Sequence, residues 1–272
     1  MNRTVNQTSG FTLVELLMTL SLLAILATLA IDRVNSSFDE ARFEETIGRL
    51  KKIQTALIGD VSQISKGART NFGYLGDVGG LPTLGQGIGA IFTNPGVPTP
   101  GWLMNSSVRI GFGWNGPYLK GDDAGADFQN DSWGTPFVYS PASVPPTIIS
   151  RGSDRLPGGS GYARDITLEI PIAFTSCRAW GVIRQGGAVF VGAAEVELNR
   201  PDGAGVLVQT LTNVPSGAGT SGQFSISTIP SGVRSLTVYV PTKAAPTTAT
   251  LGPIIFTCDR PNVMISTAAT NI

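Results

Sequence analysis

One carboxylate stands where an apolar run should hold none. Glu15 is the only charged side chain in residues 11–31, FTLVELLMTLSLLAILATLAI. An acid inside a membrane helix costs on the order of 3 kcal/mol, so it is expected to have a partner or a task. The run is long enough to span a bilayer as a helix. Residues 1–10 are polar and carry one positive charge, Arg3, which places them on the cytoplasmic side. A secretory signal peptide fits poorly, because the run is too long, holds an acid and is followed by no A-x-A site.

Little other reactive chemistry is on offer. The chain has no histidine, which removes Ser-His and Cys-His pairs, histidine metal ligands and the commonest general base. No nucleophile–base pair can be assembled, so the chain reads as a non-enzyme. Cys177 and Cys258 are too far apart for a redox or zinc C-x-x-C pattern. In an exported domain they would form one disulfide; the alternative is two separate buried thiols. Asp122, Asp123 and Asp127 fail the EF-hand spacing and read as a solvated loop. Gly85, Gly87 and Gly89 lack the strand–turn–helix setting of a phosphate cradle and read as a plain turn. Trp114, Tyr118, Trp133 and Phe137 suit the core of a small lobe better than a carbohydrate platform.

The elements that must position these residues follow from composition and period. A chain of 272 residues has room for more than one core. With 34 Gly, 18 Pro and 14% charged residues it favours many short strands. Formal net charge is zero, which excludes nucleic acid as an expected partner. After Asp32 and Arg33, the expected membrane exit, Phe43, Ile47, Leu50, Ile53, Leu57, Val61 and Ile64 recur at helical steps. Glu40, Arg42, Glu45, Arg49, Lys51 and Lys52 take the other face. Ser65, Lys66 and Gly67 read as the end, so the spacing predicts one helix over 11–67, roughly 80 Å long. Residues 68–170 read as a small α+β lobe over the apolar stripe of that helix. The rest, 171–272, reads as short strands at 179–184, 188–198, 205–214, 222–229, 233–240, 253–257 and 263–267, an all-β sandwich. The fold class is therefore α+β: a long N-terminal helix, a small mixed lobe, then a sandwich.

Ser9-Gly10-Phe11-Thr12-Leu13-Val14-Glu15 resembles the cleavage and methylation motif of type IV pilins and type II secretion pseudopilins. The resemblance implies that a prepilin peptidase removes 1–10, cutting between Gly10 and Phe11, and methylates Phe11. It also implies that Glu15 pairs with the Phe11 ammonium of a neighbouring subunit in a filament core. Major pilins of the family carry a helix-breaking proline where this chain has Asp32, so here the helix is expected to run on unbroken.

Four further stretches narrow the resemblance to the major pseudopilin of type II secretion. They are Leu81–Pro82 through Ile91, Gly116-Pro117-Tyr118-Leu119-Lys120, Asp131-Ser132-Trp133-Gly134-Thr135-Pro136-Phe137, and a final loop from Ile149 to Ile166. In that family the final loop holds calcium. By position Asp154 is the side-chain ligand here, the carbonyls of Arg151 and Leu156 assist, and Asp165 replaces an absent mid-loop acid. The other reading of the loop is Arg–Asp pairing without metal, since Arg151, Arg155 and Arg164 are all nearby. The strands of the extension faintly resemble carboxypeptidase-regulatory-like modules. The implied function is a homo-oligomeric secretion filament built at an inner-membrane assembly platform together with minor pseudopilins. The subunit would be a single-pass protein with periplasmic domains in a Gram-negative cell. The alternative is a pilus subunit or tip adhesin whose sandwich binds a surface or glycan.

Overall fold

The structure, a computed structural model, describes residues 10, 12–96, 98–119, 126–216, 221–244, 249–266 and 272, without the side chains of 27–35, 126 and 127. Phe11, Asp122 and Asp123 lie outside the described residues, as does the side chain of Asp127.

The chain begins as one helix, α1 (Leu13–Ile58), whose 46 residues pass Asp32 without a break. At 1.5 Å per residue it is about 69 Å long. The expected amphipathic half is real: Phe43, Leu50, Ile53 and Leu57 are buried, while Glu45 faces outward and pairs with Arg49 one turn on, at 2.7 Å. The expected end at residue 67 is not. The helix stops nine residues earlier, by subtraction of 58 from 67, and Val61 and Ile64 are exposed. The physical reason is Gly59. Its φ is +80°, and any side chain there would collide with the carbonyl of Asn71. Asp60 then accepts the Ser62 N–H in a tight side-chain turn. A two-residue hairpin follows, β1 (Ile64–Ser65) with β2 (Ala68–Arg69).

The first lobe is built from short pieces laid on α1. They are α2 (Gly73–Val78), the hairpin β3 (Leu103–Asn105) with β4 (Ile110–Phe112), and the antiparallel sheet β5 (Val138–Ser140), β6 (Thr147–Ser150) and β7 (Ile166–Glu169). Its core joins Leu50, Ile53 and Leu57 of α1 to Tyr74, Ile91, Ile148 and Ile170. Trp114 and Tyr118 stack edge-on at 5.9 Å against this core, and Trp133 and Phe137 are buried. The aromatic residues are thus packing, as expected.

The remainder is strand-rich. One sheet has the order β12 (Leu207–Val214), β11 (Ala194–Pro201), β14 (Gly232–Val240), β15 (Ala249–Cys258), all antiparallel. The other has the order β13 (Gln223–Pro230), β8 (Ser176–Val182), β16 (Asn262–Met264), with β8 and β16 parallel. A two-residue hairpin, β9 (Arg184–Gln185) with β10 (Ala188–Val189), interrupts what the sequence suggests is one strand over 188–198. Ala179, Phe224, Val196, Leu236 and Phe256, drawn from both sheets, form one second core. Cys177 and Cys258 are joined in a disulfide spanning 81 residues, which links β8 to β15.

Candidate functional site

The start of α1 is exposed. Thr12 caps the helix by accepting the Glu15 N–H, 3.3 Å. Leu13, Leu16, Met18, Leu22 and Ile25 are more than half exposed, and Glu15 is exposed with them. Gly10 is exposed with nothing near its Cα substituent position. Among the described residues no helical stretch is long and apolar enough to cross a membrane. The side chains of 27–35, which complete the run expected to do so, are outside those residues.

Further along, the 131–137 turn is organised by a buried acid and fixed to α1 by the two residues that follow it. Asp131 accepts the N–H groups of Trp133 and Thr135 through one oxygen and the Ser150 hydroxyl, at 2.6 Å, through the other. Ser132 N–H donates to the Thr46 hydroxyl of α1, and the Trp133 indole N–H donates to Asp39 at 3.1 Å.

The final loop leaves β6 at Ser150 and re-enters the sheet at Ile166. Arg151 and Asp165 are brought together, Nη1 to Oδ2, at 2.7 Å. Asp154 is not part of that pair. It lies on the exposed rim and accepts the N–H of Leu156, itself exposed. Among the described residues no three acids, cysteines or histidines are placed to hold a metal ion. One observation favours a ligand: Asp165 Oδ1 is buried with no hydrogen-bond partner. Calcium takes six to eight oxygens, however, and that is one. Unit charges about 4 Å apart at an effective ε of about 20 interact by about 4 kcal/mol, so the roughly 8 that a dication would gain from Asp165 is offset by a similar repulsion from Arg151. Weak extracellular calcium sites bind with only about 4–5 kcal/mol. The four residues expected to hold calcium, Asp154, Asp165, Arg151 and Leu156, do not fit it in this chain, because Asp165 is already paired with Arg151 and Asp154 lies apart from it on the rim.

Two more arginines hold the helix ends, and neither stands in a motif that marks it. Residues 55–58 and 75–78, the last turns of α1 and α2, contain no Lys or Arg, although cations are favoured there. Arg69 of β2 supplies one, donating to the Ile58 carbonyl and lying 4.8 Å over the Phe72 ring. Its own N–H is held by Asp259, just past β15. Arg234 of β14 supplies the other. It is 1% exposed and donates to the Gly76 carbonyl of α2 at 3.0 Å, and to Pro230, Ser231 and Val233. Burial pulls its pKa down to about 9, so it remains a cation at neutral pH. The next carbonyls of α2 are also taken: Gly113 N–H donates to Asp77, and the Gly203 and Gly205 N–H groups to Val78.

Two adjoining stretches of the chain have relatives. Residues 6–31 match the prokaryotic N-terminal methylation motif, and residues 33–169 match the type II secretion system protein G family. The chain belongs to the protein G family of type II secretion. It is also 32% identical over 164 residues to the type II secretion system core protein G of Pseudomonas aeruginosa, covering 59% of this chain and 94% of that protein. The family match includes α1 from its 33rd residue number onward, the Asp131 turn and the final loop, and it closes at Glu169, the last residue of β7. The two sheets carrying the disulfide lie beyond it. Protein G relatives are structural pseudopilins, so the non-enzyme reading stands.

Proposed function

We propose that this chain is a repeating subunit of the type II secretion pseudopilus with an appended β module. The observation that carries the reading is that the methylation-motif match and the protein G match abut, 6–31 and 33–169, along one uninterrupted helix and the lobe packed on it. The bare apolar side chains from Leu13 to Leu26 suit a segment that is solvated first by lipid and then by neighbouring helices. In this reading residues 11–31 anchor the subunit in the inner membrane and the two lobes lie in the periplasm. A disulfide is at home in that oxidising compartment. Prepilin peptidase cuts after Gly10, Phe11 becomes the methylated N-terminus, and Glu15 pairs with the Phe11 ammonium of the adjoining subunit. An inner-membrane platform and minor pseudopilins are the expected partners.

The two sheets of the extension we read as a sandwich closed over one core. Arg234 and the Val78 carbonyl bonds fix it to the lobe, so it travels with each subunit as a rigid part of the filament surface. Mass spectrometry of the N-terminal peptide from cells tests the processing step, with a start at N-methylated Phe11 expected. A start at Met1 or near Ile31 refutes it. In the same cells Glu15→Ala should leave cleavage intact and abolish subunit-to-subunit cross-links along the filament.

A further inference from the structure

We infer that the final loop of this subunit is an arginine staple that works without metal, so that the fold of the lobe and its assembly do not depend on calcium. The inference rests on the pseudopilin reading, because it concerns the loop of that family's lobe.

Three guanidinium groups in the loop region each reach a different element. Arg151 closes the loop on itself through Asp165, at the junction with β7. Arg155 reaches from the rim to the carbonyl of Trp133, at 3.1 Å, and so joins the loop to the Asp131 turn. Arg164 lies 4.7 Å over the ring of Phe43 on α1, and Tyr162 meets the same ring edge-on at 5.9 Å. A bound cation orders a loop by drawing several oxygens to one point. Tethered guanidinium groups achieve the same order by closing the loop on itself and linking it outward to two fixed surfaces.

The backbone is already committed to this arrangement. Ser153 N–H donates to Tyr162, and Asp165 N–H donates to Gly158. Gly152, at φ +65°, passes so close to the carbonyls of Tyr162 and Arg164 that no side chain would fit. The carbonyls of Gly158 and Tyr162 therefore accept from the loop's own amides. The Asp131 carboxylate extends the same network, because the Ser150 hydroxyl that it holds accepts the Gly152 N–H.

The test uses the full mature chain in detergent. Calcium titration followed by calorimetry should give no saturable heat, and thermal unfolding should give the same Tm in millimolar calcium and in chelator. Arg151→Gln should lower Tm by several degrees, equally with and without calcium, and should raise the rate of proteolysis within the loop. A calcium-dependent rise in wild-type Tm that Asp154→Ala removes would overturn the inference, and this arm needs no arginine variant to fold. So would an Arg151→Gln protein that melts and resists protease as the wild type does. Filament cross-linking in cells is followed in parallel. Calcium-dependent stability with intact cross-links defeats the staple alone, whereas a wild type that never cross-links defeats the pseudopilin reading.

Discussion

The lobe and the extension are each held together by different means. Among the described residues of the lobe no strand exceeds four residues, and the pieces are pinned to α1 by side chains. Arg49 donates to the Asn130 carbonyl, Gln54 to the Glu169 carbonyl, and Thr46 receives the Ser132 N–H. In the extension, β11 to β15 run eight to ten residues each, pair along their length, and are tied by a disulfide. A lobe built this way borrows its order from the helix, which suits a unit whose helix is clamped in a filament. A pair of sheets with its own core and cross-link is ordered independently of that helix. The two meet where α1 and α2 end, and the cations missing from those ends come from Arg69 and Arg234.

The disulfide offers the largest test of that difference. On the chain-entropy account a loop of this length contributes about 4 kcal/mol. Replacing Cys177 and Cys258 with serine should lower the stability of the extension by roughly that amount. Hydrogen exchange should show amides of β8 and β15 losing protection while those of 88–91 and 131–137 keep theirs. Equal loss in both lobes would mean that the two fold as one unit and that the contrast is wrong.

Arg234 should behave in the opposite way, loosening both sides at once. Arg234→Ala leaves the carbonyls of Gly76, Ser231 and Pro230 without a donor in a closed site, at an expected cost of about 3 kcal/mol. Protection should fall in α2 and in β14 together. If only β14 responds, the extension is not fixed to the lobe through this residue.

Much of this was legible in the sequence, for definable reasons. Period reports burial on one face, so Phe43, Leu50, Ile53 and Leu57 gave the packed half of α1. Turn residues at regular intervals gave most strands of the extension within about four residues at each end, the expected 188–198 being split in two, and the β8–β15 disulfide is one of the two readings the cysteines offered. Period failed at the end of α1, where Val61 and Ile64 kept the helical spacing by chance. The signal that decides the end was also present, as Gly59 followed by Asp60, a stop with a side-chain turn behind it. Asp131 stood within a quoted signature, but its role as the acceptor for three donors depends on Ser150, nineteen residues away. Arg69, Arg234 and Asp77 gave no signal at all. A buried charge is defined by what surrounds it, and for Arg234 that includes a carbonyl 158 residues distant.

Asp77 gives the smallest and most discriminating test, because it stands at the seam between the two regions. Burial pushes its carboxyl up to about 6, while the Tyr118 hydroxyl, Arg234 and Asn115 pull the other way. Tyr118 donates to it at 3.1 Å and stacks edge-on against Tyr74; burial, with Asp77 itself adding to it, raises the Tyr118 hydroxyl well above its usual range. The sign follows from linkage. The folded state holds the Asp77 proton up to about pH 6, whereas the unfolded chain releases it near 3.8. Between those values the folded state binds more protons, so stability falls as pH rises and levels off above 6. Asp77→Asn keeps an acceptor for Tyr118 and removes the titration. The variant should therefore exceed the wild type by roughly 2 to 3 kcal/mol at about pH 7.5, several degrees in Tm, with the gap closing as pH falls below about 3.8. Exchange at the Gly113, Gly203 and Gly205 amides, which bond the carbonyls of Asp77 and Val78, should follow the same course. A gap that stays constant across pH would show that the carboxyl titrates as an ordinary surface acid and that the seam is open to water.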